Sequence, residues 1–374
     1  MVIRLVSVIS RMNVGGPATL LGGFDQHLDK SKFIHTLITG SVHEGEIDYL
    51  DSHEFYSEVI RIRQMKRSIF LLNDLFSFIR LRKILKQINP DIVHTHTSKA
   101  GVLGRLAVIT LSGRIKIVHT YHGHLLYGYF KKYKVRIFTL IEKILGYFSS
   151  ALIAVAKSVA SDLRDVGIGR NARWEIIPPG IELYAPEIKP VQSEKVLRVT
   201  WIGRFTEIKN PKLALLAFDM IEPTTRNHYR FTMVGDGELL DASKSFARER
   251  SLEVSFPGWA TDVDEFLRDS DLLIMTSENE GMPVVIIEAA KWEVPCLSTN
   301  VGGVTEFIKP DMTGFLTNGT AHDLANALQK LENDRDLLNR AGVRAREQAI
   351  NGFSIKGYAR KHEVLYSRLM ELNQ

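Results

Sequence analysis

Two glutamates eight positions apart are the first residues whose spacing suggests chemistry. In TSENEGMPVVIIEAAKWEVP an apolar run ends at Thr276, a short loop carries Glu280, and Glu288 lies in a helix that Pro283 is predicted to open. A helix N-terminus attracts phosphate through its free N–H groups and its dipole. Two carboxylates beside a bound anion would favour contacts with hydroxyl groups, such as those of a sugar. The structural alternative is that Glu280 only caps the helix and that Glu288 is a solvated residue on its surface.

Two cations follow another apolar run. WIGRFTEIKNP places Arg204 directly after the run and Lys209 just before a helix that begins with Pro211. If the run is a parallel strand, both cations lie at the strand end where open α/β sheets bind ligands. Arginine and lysine together suit the charge that builds on a departing nucleoside diphosphate. Two surface cations in an ordinary loop are the simpler alternative.

Glycines follow several of the apolar runs. VGDG places Gly235 and Gly237 after one run, FPGW places Gly258 after the next, and Gly15 and Gly16 follow the first run of the chain. Because glycine lets the backbone approach a ligand closely, these turns are consistent with a nucleotide pocket. Each is a weak signal alone, since any tight turn could carry it.

Histidines crowd two predicted strand ends, in VHTHTSKAG and VHTYHGH. We expect them to line a cleft; they are His94, His96, His119, His122 and His124. Zinc is the rival interpretation, but no clear set of carboxylate and histidine ligands accompanies them, and we predict no metal site. The D-V-D at 262–264 resembles a known metal-binding triad that contains two aspartates, and helix capping is the preferred interpretation there.

Apolar, β-branched runs alternate with helical patterns along the whole chain, which predicts βαβ units and two parallel sheets. The proline-rich stretch at 178–195 is predicted to be an interdomain linker. We therefore expect domains at 1–184 and 185–354, with a helix at about 355–374 returning to the first. The predicted strands are Ile3–Ile9, Phe33–Ile38, Asp91–Thr95, Lys116–Tyr121, Ala151–Val155, Glu175–Ile177, Leu197–Ile202, Tyr229–Val234, Leu252–Phe256, Leu272–Thr276, Pro295–Thr299 and Gly314–Leu316.

Length and composition fit this arrangement. A chain of 374 residues exceeds what one hydrophobic core usually serves, and its 45% hydrophobic and 24% charged residues are typical of an ordered globular protein. The single cysteine, Cys296, excludes an intrachain disulfide, and no signal sequence or spanning segment is evident. We expect a cytoplasmic protein.

The basic residues are concentrated in the first half of the chain, where residues 1–185 hold 25 Lys and Arg against 15 Asp and Glu. The segment 61–88 and the cluster YGYFKKYKVRIF, with Lys131, Lys132 and Lys134, combine cations with apolar residues. Both could dock on an anionic membrane from the cytoplasmic side. Ordinary half-buried helices are the alternative, and no nucleic-acid recognition motif accompanies them.

The GG loop, the HG at 122–123, GR-x4-K, VGDG, FPGW and the glutamate pair resemble, in this order, the motifs of the family 4 retaining glycosyltransferases. The resemblance covers essentially the whole chain. It implies the GT-B architecture, an α/β fold of two Rossmann-like domains whose parallel sheets face each other across a cleft. It also implies retention of configuration without a metal or cofactor.

By resemblance, Glu280 would hold the donor sugar, Glu288 the ribose, and Arg204 with Lys209 the diphosphate, while His122 would approach the anomeric carbon. The catalytic set is His122, Glu280, Arg204 and Lys209. Donor-binding residues are Gly16, Arg204, Lys209, Gly235, Gly237, Gly258, Glu280, Gly281, Met282, Pro283 and Glu288. The acceptor-side residues are Gly15, Gly16, His94, His96, Lys99 and His124. Lys291, Trp292 and Glu293 depart from many relatives and are expected to affect packing only.

The resemblance implies a glycosyltransferase of bacterial capsule or O-antigen synthesis. A UDP-sugar is the favoured donor, and a glycan or polyprenyl-diphosphate-linked sugar is the expected acceptor. A GT-B-type sugar-nucleotide epimerase and a catalytically silent nucleotide-sugar-binding subunit are alternatives. A dehydrogenase is disfavoured because no full G-x-G-x-x-G opens either half.

Overall fold

The computed structural model describes residues 2–43, 46–66, 70–111, 113–123, 132–183 and 196–371, without the side chains of 132–134. The described residues form two compact units. The first contains those up to Glu182 and those from Ile355 onward, and the second runs from Leu183 to Ser354. The predicted boundary at 184/185 and the linker from residue 184 to 195 lie outside the described residues.

The first unit is built on a seven-stranded parallel sheet with the order β3-β2-β1-β4-β5-β6-β7. Its strands are β1 (Ile3–Ile9), β2 (Phe33–Thr39), β3 (Glu58–Arg61), β4 (Ile92–His96), β5 (Lys116–Tyr121), β6 (Ala151–Ala154) and β7 (Arg173–Ile176). The sequence did not predict β3. This strand lies at the sheet edge, is short and has charged residues at both ends, so it lacks the apolar run of a central strand.

Helices cover both faces of this sheet. They are α1 (Gly16–His27), α2 (Tyr49–Ser52), α3 (Leu71–Ile88), α4 (Ser98–Ile109), α5 (Lys132–Tyr147), α6 (Lys157–Asp165) and, from the end of the chain, α14 (Ile355–Glu371). Val6, Val8 and Val93 pack with residues of α3 and α4 on one face. Ile3 and Leu5 pack with residues of α1 and α14 on the other. The last helix is therefore part of the first unit.

The second unit has a six-stranded parallel sheet with the order β10-β9-β8-β11-β12-β13. The strands are β8 (Leu197–Ile202), β9 (Tyr229–Val234), β10 (Val254–Gly258), β11 (Leu272–Met275), β12 (Cys296–Thr299) and β13 (Gly314–Thr317). The helices are α7 (Pro211–Asp219), α8 (Leu240–Glu249), α9 (Asp264–Arg268), α10 (Val284–Lys291), α11 (Val304–Phe307), α12 (Ala321–Asn333) and α13 (Arg335–Gly352). The prediction of two parallel sheets is confirmed.

Strand β10 extends two residues beyond its predicted end and includes Pro257 and Gly258. Proline cannot donate a hydrogen bond to a neighbouring strand, so it is confined to edge strands, and β10 is an edge strand. Among the described helices, none combines the length and apolar character that crossing a bilayer requires.

Candidate functional site

In the second unit, Lys209 and Glu280 form an ion pair although they are 71 positions apart. Their strands, β8 and β11, are neighbours in the sheet, so the loops that follow both strands meet at the same edge. Ser277 also donates to Glu280 Oε1, at 2.6 Å. The Glu280 side chain is only 11% exposed. The carboxylate is thus held in place by a cation and a hydroxyl before any ligand binds.

The loop after β8 turns sharply between the two predicted cations. Arg204 is exposed, and a 3-10 turn over Glu207–Lys209 leads to Asn210, which has a left-handed φ of 46°. The Asn210 side chain accepts a bond from the Leu213 amide at 3.2 Å and caps α7. The structure brings Lys209 to Glu280, while Arg204 points to solvent from the same loop.

Glu288 lies on α10, half-buried, in an environment that disfavours its charge. Burial raises the pKa of its carboxyl to about 7, with a further contribution from the negative charges of Asp264 and Asp262. Lys291 opposes this shift. Helix α10 begins at Val284, one residue later than predicted, so Pro283 immediately precedes the helix instead of being its first residue. Gly281 and Met282 are buried in the loop between.

Asp262 and Asp264 have different structural roles. The Asp262 carboxylate accepts a bond from the Asp264 amide at 2.8 Å, at the first residue of α9, but the N-cap position is held by Val263, which makes no side-chain cap bond. The Asp264 carboxylate instead pairs with Lys291 and accepts a bond from the Trp292 indole at 2.7 Å. Lys291 and Trp292 therefore join α10 to α9, next to Glu288, whereas Glu293 pairs with Arg346 of α13 at 3.0 Å.

The glycines of the second unit make room for protein backbone. A Cβ on Gly235, whose φ is +136°, would lie 1.9 Å from the carbonyl oxygen of Gly203. One on Gly237 would lie 2.5 Å from the carbonyl oxygen of Phe205. Gly235 and Gly237 are thus needed so that their turns can pack against the loop that carries Arg204. The expected close approach of a ligand would come in addition to this contact. Gly258 has open space around it.

Sequence analysis missed one loop of this site. After β12, Gly302 has a left-handed φ of +46°, and a Cβ there would lie 2.0 Å from the carbonyl oxygen of Glu280. The Gly303 amide donates to the same oxygen at 3.2 Å. The sequence does carry a signal, because NVGGV follows a strand and precedes a helix, as the other glycine turns do.

In the first unit, the four histidines of this set that the structure describes do not form one surface. His94 and His96 lie on one face of β4, and His119 lies on the opposite face of β5, where its Nδ1 bonds the Thr95 hydroxyl at 2.8 Å. His94 is 1% exposed, and its nitrogens bond Tyr366 Oη at 2.6 Å and Thr120 Oγ1 at 2.7 Å. The structure corrects the expectation that His94 and His119 line a cleft, because both are buried and hydrogen-bonded to protein.

His122 follows β5 and is half-buried. Its Nε2 lies 3.2 Å from Nδ1 of His96. Burial, followed by the charge of His362, lowers the pKa of His122 to about 4, so its ring is neutral at physiological pH. His362, on α14, was not foreseen in this group; burial lowers its pKa to about 4 as well. Histidines that share a buried pocket stay neutral because each would otherwise repel the next.

The remaining acceptor-side residues are placed as follows. Gly15 precedes α1, and Gly16 is its first residue. Lys99 forms an ion pair with Asp74 at 2.5 Å, with only 12% of its side chain exposed. His124 lies outside the described residues. No group of three or more histidine, cysteine, aspartate or glutamate side chains suited to a metal ion is found in the described part of the chain.

The fold and the chain both match known glycosyltransferases. Sucrose-phosphate synthase from Thermosynechococcus elongatus superposes with a TM-score of 0.84 at 18% identity, over 99% of this chain and 100% of that one. HepE from Anabaena, solved with UDP and glucose, gives a TM-score of 0.80 at 18% identity, over 98% and 99%. These likenesses define the fold as GT-B.

The sequence comparisons identify the family. The model described as Glycosyltransferase Family 4 matches residues 14–184, and the one described as Glycosyl transferases group 1 matches residues 187–348. An Escherichia coli protein named UDP-Gal:alpha-D-GlcNAc-diphosphoundecaprenol alpha-1,3-galactosyltransferase is 32% identical over 338 residues, 85% of each chain. The O-antigen biosynthesis glycosyltransferase WbnH of Escherichia coli is 26% identical over 96% of this chain and 97% of its own. The chain belongs to the family 4 glycosyltransferases.

Proposed function

We propose that this glycosyltransferase moves a hexose from a UDP-sugar to a polyprenyl-diphosphate-linked sugar during synthesis of a bacterial surface polysaccharide. The relative at 32% identity is named for this type of donor and acceptor, and WbnH is named for O-antigen biosynthesis. HepE, with the same fold, was solved with UDP and glucose. The two alternatives can be distinguished by their products: an epimerase would release an isomerised UDP-sugar, and a silent binding subunit would form no product.

The observation that carries the proposal is the Lys209–Glu280 ion pair at the carboxyl edge of the second sheet. In the proposed role, Glu280 accepts bonds from the hydroxyls of the donor sugar, and Lys209 with Arg204 neutralises the diphosphate. The ion pair also offsets the carboxylate charge, which would otherwise repel the phosphates. Cations that stabilise a leaving diphosphate can replace a divalent metal, so we propose a metal-independent reaction.

We propose retention of configuration, as the family resemblance implies, by attack of the acceptor hydroxyl on the face that the diphosphate leaves. The new glycosidic bond forms as the anomeric carbon–oxygen bond breaks, and the leaving phosphate accepts the hydroxyl proton. His122 is proposed to approach the donor sugar. Because its ring is neutral at physiological pH, it would act through hydrogen bonding rather than as a cation. We further propose that the lipid-linked acceptor brings the enzyme to the membrane surface.

The test is a transfer assay with UDP-galactose or UDP-glucose, EDTA, and a short synthetic prenyl-diphosphate-linked GlcNAc, followed by mass spectrometry and NMR of the product. The expected product carries one more hexose in an α-linkage. Glu280→Gln should lower turnover strongly, whereas the matched control Glu278→Gln, an exposed neighbour in the same loop, should not. An isomerised UDP-sugar with the acceptor unchanged would indicate an epimerase, and binding without any product would indicate a silent subunit.

A further inference from the structure

The outer helices of the first unit carry two exposed apolar stripes. On α3 the stripe consists of Leu72, Leu75, Phe76 and Ile79, and on α5 it consists of Ile137, Leu140, Ile144 and Tyr147. Residues three or four positions apart lie on the same side of a helix, so each set is continuous along its helix. Leu72 is 73% exposed and Phe76 61%. Soluble proteins rarely expose contiguous apolar surface of this kind unless it binds something.

Both stripes belong to one layer of helices. Helices α3, α4 and α5 connect β3 to β4, β4 to β5 and β5 to β6, and these three steps run in the same direction across the sheet. Because such crossovers are right-handed, all three helices lie on the same face of the sheet. Helix α4 packs against both α3 and α5, and its Leu106 is also exposed.

The charges on this layer are almost all positive. The sequences of α3, α4 and α5 contain ten basic residues and two acidic ones. Both acids are neutralised within the unit: Asp74 pairs with Lys99, and the buried Glu142 accepts two bonds from Arg105, at 2.7 and 2.8 Å. The exposed cations of α3 and α5 include Arg80, Lys83, Lys86, Arg136 and Lys143.

We propose that this α3–α5 face is a membrane-docking surface whose two apolar stripes insert into the interfacial region of an anionic bilayer. The cations beside the stripes would meet the lipid phosphates, as in interfacial amphipathic helices. A second copy of the chain fits this face less well, because the same cations would oppose one another in a symmetric contact. The inference rests on the proposed function to the extent that a lipid-linked acceptor gives the enzyme a reason to be at a bilayer.

The experiment is flotation of the full chain with vesicles of phosphatidylcholine alone or mixed with phosphatidylglycerol. The native protein should float with the anionic vesicles, and the double variant Leu72→Ser/Phe76→Ser should lower the partition coefficient at least about ten-fold, which corresponds to about 1.4 kcal/mol. The matched control is Val343→Ser/Ile350→Ser, on α13 of the second unit, where the two residues are 44% and 50% exposed. It should float like the native protein.

Insertion is measured separately with Phe76→Trp, whose emission should shift to the blue with anionic vesicles. The proposal would be overturned by unchanged flotation of Leu72→Ser/Phe76→Ser or by the absence of an emission shift. It would also be overturned if light scattering showed that the native chain is a dimer and the double variant a monomer. The thermal shifts that UDP causes in the double variant should match those in the native chain.

If the native chain floats but neither binds UDP nor transfers sugar, the proposed function fails and the docking surface stands. If it transfers sugar but does not float with anionic vesicles, the docking surface fails and the function stands.

Discussion

If Glu288 binds the ribose hydroxyls, as the family resemblance implies, donor binding should become tighter as the pH rises through about 7, because the ionised carboxylate accepts bonds from both hydroxyls. Burial and the nearby Asp264 hold the pKa of Glu288 at about 7 in the ligand-free protein. The ionised fraction is then about 10% at pH 6 and about 90% at pH 8. If only the ionised form binds ribose, the affinity for UDP rises about ten-fold over this range, or about 1.4 kcal/mol.

Isothermal titration calorimetry with UDP measures this directly. Titrations near neutral pH in two buffers of different ionisation enthalpy also report the proton that Glu288 releases. UDP has a phosphate that titrates near pH 6, so its own contribution must be separated. In titrations of Glu288→Gln the UDP phosphate still titrates, but the carboxyl of residue 288 is absent. This variant should therefore bind UDP weakly and with a shallower pH dependence. Equal pH dependence in the native protein and the variant would refute the assignment of Glu288 to the ribose.

The same pKa predicts how stability depends on pH. The folded-state pKa of Glu288 is raised above its usual 4.5, so the folded protein holds this proton more tightly than the unfolded chain does. The resulting stabilisation is complete below about pH 4.5 and is lost as the pH rises to 7 and beyond, at a cost of roughly 3 kcal/mol. The melting temperature of Glu288→Gln should therefore rise relative to that of the native protein between pH 5 and pH 8. A constant difference in melting temperature would contradict the raised pKa.

Three further predictions follow from the structure. Arg204→Ala should lower turnover by roughly 100-fold or more with the melting temperature unchanged, because Arg204 is exposed and is proposed to stabilise the leaving diphosphate; near-native turnover would exclude that role. Arg105→Met should lower the free energy of unfolding by about 3–5 kcal/mol in urea titrations, since it leaves the Glu142 charge buried, and Arg105→Met/Glu142→Gln should recover part of the loss. Gly235→Ala should lower the melting temperature by several degrees, because its Cβ would overlap the Gly203 carbonyl; an unchanged melting temperature would show that the loop yields easily.

The central strands could be predicted from sequence because parallel strands buried on both faces are rich in apolar and β-branched residues, as in the IRLVSVI of β1 and the LRVTWI of β8. Edge strands are half-exposed, and β3 and the end of β10 therefore lack that signal. The meeting of Lys209 and Glu280 depends on β8 and β11 being neighbours, which a chain of alternating elements does not specify. Apart from the loop that carries Gly302, the residue types and loops that make up the candidate site were predictable, but their partners were not.

The histidines show the same limit. Their positions near the ends of β4 and β5 were evident. Alternation along a strand sends adjacent residues to opposite faces, and His119 lies opposite Thr95 rather than His94, so the sheet itself separates His94 from His119. His362 entered the group from α14, more than two hundred residues later in the chain. Sequence spacing alone could not show that His94 would be packed against the last helix.

The position of α14 has a consequence for how the protein is made. Tyr366 bonds His94, and the Glu363 carboxylate accepts a bond from the Asp29 amide at 2.8 Å, so the face of the first sheet that contains Ile3 and Leu5 is closed by residues translated after the whole second unit. A growing chain on the ribosome can complete the second unit while that apolar face is covered by α1 but not yet by α14. Chaperones that bind exposed apolar strands would have their longest opportunity before α14 is made, and the first unit would close only after that helix has been translated.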